Sequence, residues 1–140
     1  MEAVGFVSSL LTLVEVSGKV ISACYRYHQD LKSAKEDINR IRIEATSIRN
    51  VAERLLEIAS RTNDIAHPTL RALSGSGGLL DVFLEDLKSL SLSIEPSQEK
   101  MKKAFYLLKW PLTKSETETS LVAMSRVKAT LQLALAADTA

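Results

Sequence analysis

The polar residues near the start of this chain recur at alternating steps of four and three. Over residues 3–29 this spacing predicts one helix on which they form a single narrow stripe. The polar stripe consists of Ser8, Thr12, Glu15, Lys19, Ser22 and Arg26. Glu15 and Lys19 also have the i,i+4 order that favours a salt bridge on a helix. Almost all other positions are apolar, so the helix must be covered on most sides by protein or by lipid.

The apolar side of this first helix is a candidate membrane-active surface. Its residues are Phe6, Val7, Leu10, Leu11, Leu13 and Val14. From Ala3 to Cys24 the stretch has 22 residues, about 33 Å as a helix, which suffices to cross a bilayer core. A secretory signal is disfavoured because no Lys or Arg precedes the apolar run. The helix is therefore expected to be either the core helix of a soluble bundle or a helix that also enters lipid.

Further helices are predicted at about 34–60, 79–93, 96–109 and 115–137. The second has the clearest apolar seam, at strict steps of three and four. That seam consists of Ile38, Ile41, Ala45, Ile48, Ala52, Leu55 and Ala59. Ser33 with Glu36, and Thr113 with Glu116, have the spacing of capping boxes. No run reads as a strand, so the expected fold is all-α, a single antiparallel bundle of four to five helices.

Composition narrows the classes of function. The 140 residues are expected to form one domain, 1–140, the N-terminal part of a longer protein. A net charge of +1 gives no field that would attract nucleic acid. The single Cys24 forms no intrachain disulfide and is expected to be an inert core thiol. His28 and His67 have no partner at metal-ligand spacing, and no catalytic pattern occurs, so we expect neither an enzyme nor a metal or cofactor site.

Five lysines and no acidic residue fall between residues 100 and 114. One interpretation is the solvated outer face of a helix. The other is a patch that contacts anionic lipid, where each Lys contributes about 1 kcal/mol near the headgroups. The residues of this basic and aromatic patch are Lys100, Lys102, Lys103, Tyr106, Lys109 and Trp110. Tyr106 and Trp110 fit a membrane interface and the edge of a protein core equally well.

Several short motifs occur in a familiar order. Gly18-Lys19-Val20-Ile21 precedes Tyr25, the segment 32–36 reads Lys-Ser-Ala-Lys-Glu, and Lys109-Trp110-Pro111 precedes an acidic helix start and a Leu-rich end at 131–138. Together they resemble the HeLo-like domain, the N-terminal domain of fungal STAND or NLR-like proteins. One departure is Lys35, where many members have Pro, and another is the Gly-rich stretch 74–78. The resemblance covers nearly the whole chain.

The resemblance implies an all-α bundle that acts in programmed cell death, heterokaryon incompatibility and innate immunity of fungi. It implies a cytoplasmic resting form and action at the plasma membrane, where the N-terminal helix enters the bilayer after oligomerisation. The implied partners are anionic lipids, further copies of the domain, and a downstream NACHT-type NTPase or amyloid-motif region of the same protein. The alternative function is a non-lytic homotypic interaction or regulatory module of a STAND receptor.

Overall fold

Four α-helices make up the part of the chain that the computed structural model describes. The described residues are 2–30, 35–62, 79–95 and 110–139. The helices are α1 (Glu2–Asp30), α2 (Lys35–Thr62), α3 (Leu79–Ile94) and α4 (Lys114–Thr139). No strand occurs within these ranges, which confirms the predicted all-α class. The predicted helix at 96–109, the cap residue Ser33 and the Gly-rich stretch 74–78 lie outside the described residues.

The core is built from the apolar stripes that the three-four spacing predicts. In α2 the seam residues are fully buried: Ile38, Ile41, Ala45, Ile48, Ala52 and Leu55. The side chain of Ala59, the last predicted member of this seam, is outside the described set. In α3 and α4 the inward residues are Leu80, Phe83, Leu87, Leu90, Ile94, Leu121, Met124, Val127 and Leu131. All of these side chains belong to one continuous cluster, which makes the described helices one bundle.

Each helix packs against two others around this cluster. The contacting pairs are α1 with α2, α1 with α3, α2 with α4, and α3 with α4. Between α1 and α2 the contacts run in opposite order along the chain, since Tyr25 lies under Arg42 and Gly18 lies near Arg49. α1 therefore has α2 on one side and α3 on the other.

Two ion pairs connect α2 to α4, and they run in the same order along both helices. The guanidinium of Arg40 donates to both carboxylate oxygens of Glu118, at 2.5 and 3.1 Å. The hydrogen bonds from Arg40 lower the pKa of Glu118. The ammonium of Lys128 donates to Glu44 Oε1 at 2.8 Å, and this second pair is mostly buried. The two pairs fix the rotation of α4 against α2.

The predicted capping box at the start of α4 is confirmed. Thr113 Oγ1 accepts a hydrogen bond from the amide of Glu116, and Glu116 Oε1 accepts one from the amide of Thr113, both at 3.1 Å. Each bond satisfies an amide that a helix start leaves without a partner. The cap begins α4 immediately after Trp110-Pro111, at the end of the bundle where α1 finishes.

Candidate functional site

Helix α1 carries the predicted membrane-active residues, and the structure places them in three environments. Leu10 and Leu13 are fully buried in the core. Val7 and Val14 are half-buried. Leu11 is 56% exposed, and the side chain of Phe6 is outside the described set. The core face of α1 continues through Val16, Ser17, Val20, Ala23, Cys24 and Tyr27.

The exposure of Leu11 is an exception to the expectation that α1 is covered on most sides outside its polar stripe. Leu11 follows Ser8 by three residues and precedes Glu15 by four. At 3.6 residues per turn this puts it on the same face as the polar stripe rather than on the core face. An apolar side chain therefore interrupts the stripe near its N-terminal end.

The polar stripe forms the floor of an open cleft. The cleft has a volume of about 680 Å³, and its floor includes Glu15, Gly18, Lys19, Ser22, Ala23 and Arg26 of α1. Arg49 of α2 forms one wall, and Ser91 and Glu95 of α3 form the other. Ser8, Glu15 and Lys19 are exposed, and Thr12 is half-buried with its hydroxyl donating to the carbonyl of Ser8. The sequence predicts the stripe but not these walls, because they come from distant helices.

Charges of both signs line this cleft. Lys19 Nζ lies 3.9 Å from Glu15 Oε1, and both side chains are more than 60% exposed. Arg49 Nε donates to Glu53 at 3.1 Å on α2. Exposed pairs of this kind contribute about 0–1 kcal/mol each, so Glu15 and Lys19 remain available for other partners.

Among the described helices, α1 is the one long and apolar enough to cross a membrane. The qualifying segment is Val7–Tyr27, 21 residues with a mean hydropathy of 1.4. This finding concerns length and composition alone. The same segment contains the core face of α1, so one set of leucines and valines meets the requirements of a protein core and of a membrane span.

Ser17 is a polar residue on the core face of α1. Its side chain is fully buried, and its Oγ has no hydrogen-bond partner among the described residues. A buried hydroxyl without a partner costs about 1–3 kcal/mol. The neighbouring Gly18 does not serve close packing, because a Cβ there would meet only Arg49 Nη1, at 4.0 Å. Ser17 and Gly18 therefore stabilise the packing of α1 in the bundle less than the leucines and valines of its core face do.

Ser17→Ala is expected to stabilise the bundle by about 1 kcal/mol, since it removes the unpartnered hydroxyl and favours the helix. Urea unfolding followed by far-UV circular dichroism measures the change. Ser22→Ala is the matched control: it makes the same chemical change on α1 at an exposed position. An equal gain from both variants would show that helix propensity, and not the buried hydroxyl, is responsible.

Cys24 is fully buried on the core face, as predicted for an inert core thiol. Burial raises the pKa of its thiol from 9.0 to about 12, against a smaller lowering by Arg42. The reactive thiolate is therefore scarce at neutral pH in the folded chain.

The basic and aromatic patch is described at one residue only. Trp110 is half-buried and packs edge-to-face on Tyr27, with ring centroids 5.3 Å apart and planes at 87°. Its indole N–H donates to Thr117 Oγ1 at 3.3 Å. This is the core-edge position that the sequence allowed. The other patch residues lie outside the described residues: Lys100, Lys102, Lys103, Tyr106 and Lys109.

The described ranges contain no group of three or more His, Cys, Asp or Glu residues placed to hold a metal ion. No protein-family model, curated protein or solved structure matches the chain. The geometry of α1 and its surroundings is therefore the basis for a functional proposal.

Proposed function

We propose that this chain is a HeLo-like, membrane-targeting effector domain of a fungal NLR-like cell-death protein. After oligomerisation, α1 exchanges its neighbours in the bundle for lipid. The observation that carries the proposal is that Val7–Tyr27 contains the core face of α1 and is also long and apolar enough to span a bilayer. The order of the sequence motifs supports the assignment to the family.

The charges of the polar stripe require more than one copy. Glu15 and Lys19 lie two residues on either side of Ser17, the middle of the Val7–Tyr27 segment. A charge at the bilayer centre costs about 2.5–3.5 kcal/mol, so a single inserted helix is unfavourable. Several inserted helices that turn their stripes toward one another keep these charges away from lipid. Oligomerisation therefore precedes insertion.

The weak region at Ser17 and Gly18 supports an exchange of partners. A ligand or surface shifts a two-state equilibrium only by its differential affinity for the two states. The unpartnered hydroxyl of Ser17 reduces the advantage of the bundle, so less lipid affinity is needed to release α1. Ser17→Ala should accordingly slow membrane action as well as stabilise the fold.

The remaining parts of the proposal concern the helix predicted at 96–109, the arrangement of the helices and a downstream region. A fifth helix at 96–109 would present Lys100, Lys102 and Lys103 to anionic headgroups, where basic residues contribute about 1 kcal/mol each. The predicted antiparallel arrangement is supported for α1 and α2, whose contacts run in opposite order, but not for α2 and α4.

A downstream NTPase or amyloid-motif region of the same protein would cluster the domain. Clustering would bring the domain from a cytoplasmic resting form to the plasma membrane.

Dye release from anionic liposomes tests the membrane function. The domain is fused to a chemically induced oligomerisation tag, and leakage is followed before and after addition of the inducer. We expect leakage only after clustering, and less leakage from neutral liposomes. A variant with Lys100, Lys102 and Lys103 changed to Gln should lose most binding, whereas Lys88→Gln on α3 should not. Clustered protein that neither binds nor permeabilises anionic liposomes would refute the proposal.

A homotypic interaction module is the second candidate function. It is favoured by the complete burial of Leu10, Leu13 and Val20, which a permanently folded bundle requires. Ser17→Ala separates the two functions because it leaves these core side chains in place. Deletion of residues 1–20 would not serve, because it would remove them and unfold the bundle. A module that never opens would assemble equally well with Ser17→Ala and would release no dye in either form.

A further inference from the structure

We propose that two resting copies of this chain pair in solution through α1, about a twofold axis at the level of Ser17. Leu11 of each copy then lies in the cleft of the other. This contact involves the folded bundle alone, so it does not depend on the proposed membrane function. Its parts are the exposed Leu11, the cleft over the polar stripe, and the charges of Glu15 and Lys19.

The positions along α1 fit an antiparallel, self-complementary contact. In a twofold interface, residue i of one copy meets residue j of the other, and j meets i. With the axis at Ser17, Glu15 lies two residues before it and Lys19 two residues after it. Each Glu15 then faces the Lys19 of the other copy. The contact forms two ion pairs from two exposed charges of the stripe.

The same axis places Leu11 opposite the cleft. Leu11 is six residues before the axis, so it lies at the level of residue 23 of the other copy, where Ser22 is the exposed side chain of the cleft floor. The small side chains of Gly18, Ser22 and Ala23 form the cleft floor, and Arg49 and Glu95 flank it. A volume of about 680 Å³ is in the range of ligand-binding pockets and accommodates a leucine side chain.

A second copy suits this cleft better than a purely acidic or purely basic partner. The cleft and its rim carry Glu15 and Glu95 together with Lys19, Arg26 and Arg49. An antiparallel second copy can place its acidic side chains opposite these basic ones and its basic side chains opposite these acidic ones. The contact is small because it involves one helix and the edges of two neighbours, so it belongs to the low end of specific interfaces, below about 1,200 Å². We therefore expect a weak dimer that forms at high protein concentration.

Sedimentation velocity from micromolar to millimolar protein concentration tests the proposal without lipid. The unmodified chain should shift from monomer to dimer. Leu11→Gln, Glu15→Lys and Lys19→Glu should each raise the dissociation constant at least about tenfold, because the first removes the apolar contact and the others place like charges opposite each other. The double variant Glu15→Lys with Lys19→Glu should restore dimerisation, since opposite charges face each other again. Leu92→Gln on α3, at a side chain that is 72% exposed, should have no effect.

Three results with the protein alone would overturn the proposal. They are a monomer at all concentrations, a Leu11→Gln variant that dimerises like the unmodified chain, and a double charge reversal that stays as weak as the single reversals. Self-association that requires anionic vesicles would also overturn it, because the occupant of the cleft would then be lipid. Circular dichroism confirms that each variant is folded. The leakage assay is separate, so failure of the dimer and failure of the membrane function are distinguishable.

Discussion

Leu13→Asp is expected to unfold the bundle. Leu13 is fully buried in the core, and the buried residues of the described helices include no cation. Loss of the leucine contacts costs about 2–5 kcal/mol. A buried, unpaired carboxylate adds several kcal/mol or forces its own protonation. Together these approach the whole stability of a small domain, about 5–15 kcal/mol. Far-UV circular dichroism and urea unfolding should show little or no cooperative transition.

Leu11→Asp is the matched control for this substitution, with the same chemical change two residues earlier on the same helix. Because Leu11 is 56% exposed, its aspartate stays in water, and the free energy of unfolding should change by about 0.5 kcal/mol or less. Equal loss of stability in both variants would contradict the rotation of α1 that places Leu11 beside the polar stripe.

Cys24 is expected to react very slowly with water-soluble thiol reagents in the folded chain. Its thiol is fully buried, and burial raises its pKa to about 12. At pH 8 the thiolate fraction falls on the order of a thousandfold relative to an ordinary cysteine. Absorbance from a disulfide reagent, compared with and without urea, measures the protection. Rapid labelling without urea would show that α1 opens frequently in the resting state.

The same burial predicts a pH dependence of stability. Between pH 9 and 12 the unfolded chain loses the Cys24 proton while the folded chain retains it. The contribution of this group is therefore complete below pH 9 and declines as the pH rises toward 12. Urea titrations across this range should show a shallower decline for Cys24→Ala than for the unmodified chain. Identical slopes would assign the alkaline loss of stability to other groups.

Local patterns in the sequence were sufficient for much of the fold. The predicted helices at 3–29, 34–60, 79–93 and 115–137 correspond within two residues to α1, α2, α3 and α4. The seam of α2 and the Thr113–Glu116 cap are confirmed because they depend on residues three and four apart. Such contacts are made within one helix, so the spacing alone predicts them.

Contacts between distant helices could not be predicted in this way. Arg40 pairs with Glu118, and Glu44 with Lys128, because α4 packs beside α2 in a particular rotation. The walls of the cleft over α1 depend on the same information, since Arg49 and Glu95 reach it from different helices. Periodicity identifies which face of a helix is buried, but it does not identify the neighbouring helix or its rotation.

Two positions of α1 show where periodicity alone is ambiguous. By residue type Leu11 belongs to the apolar surface of α1, although its angular position belongs to the polar stripe. Ser17 lies on the core face, where its hydroxyl lacks a partner. Both depart from a regular amphipathic pattern. Departures from local consistency are expected where a segment serves more than one state.

The proposed membrane function requires that α1 leaves the bundle when the clustered domain acts on a membrane. Reaction of Cys24 with a water-soluble thiol reagent tests this requirement, because Cys24 is the only cysteine of the chain. Cys24 lies three residues before Tyr27, the end of the segment that could span a membrane, which is about 4.5 Å along the helix. On clustering at anionic vesicles, we predict that labelling accelerates at least about a hundredfold over the resting protein, in step with dye release. The controls are unclustered protein with vesicles and clustered protein without them. Dye release while Cys24 remains as protected as in the resting bundle would show that α1 stays in the bundle and would refute the proposed exchange.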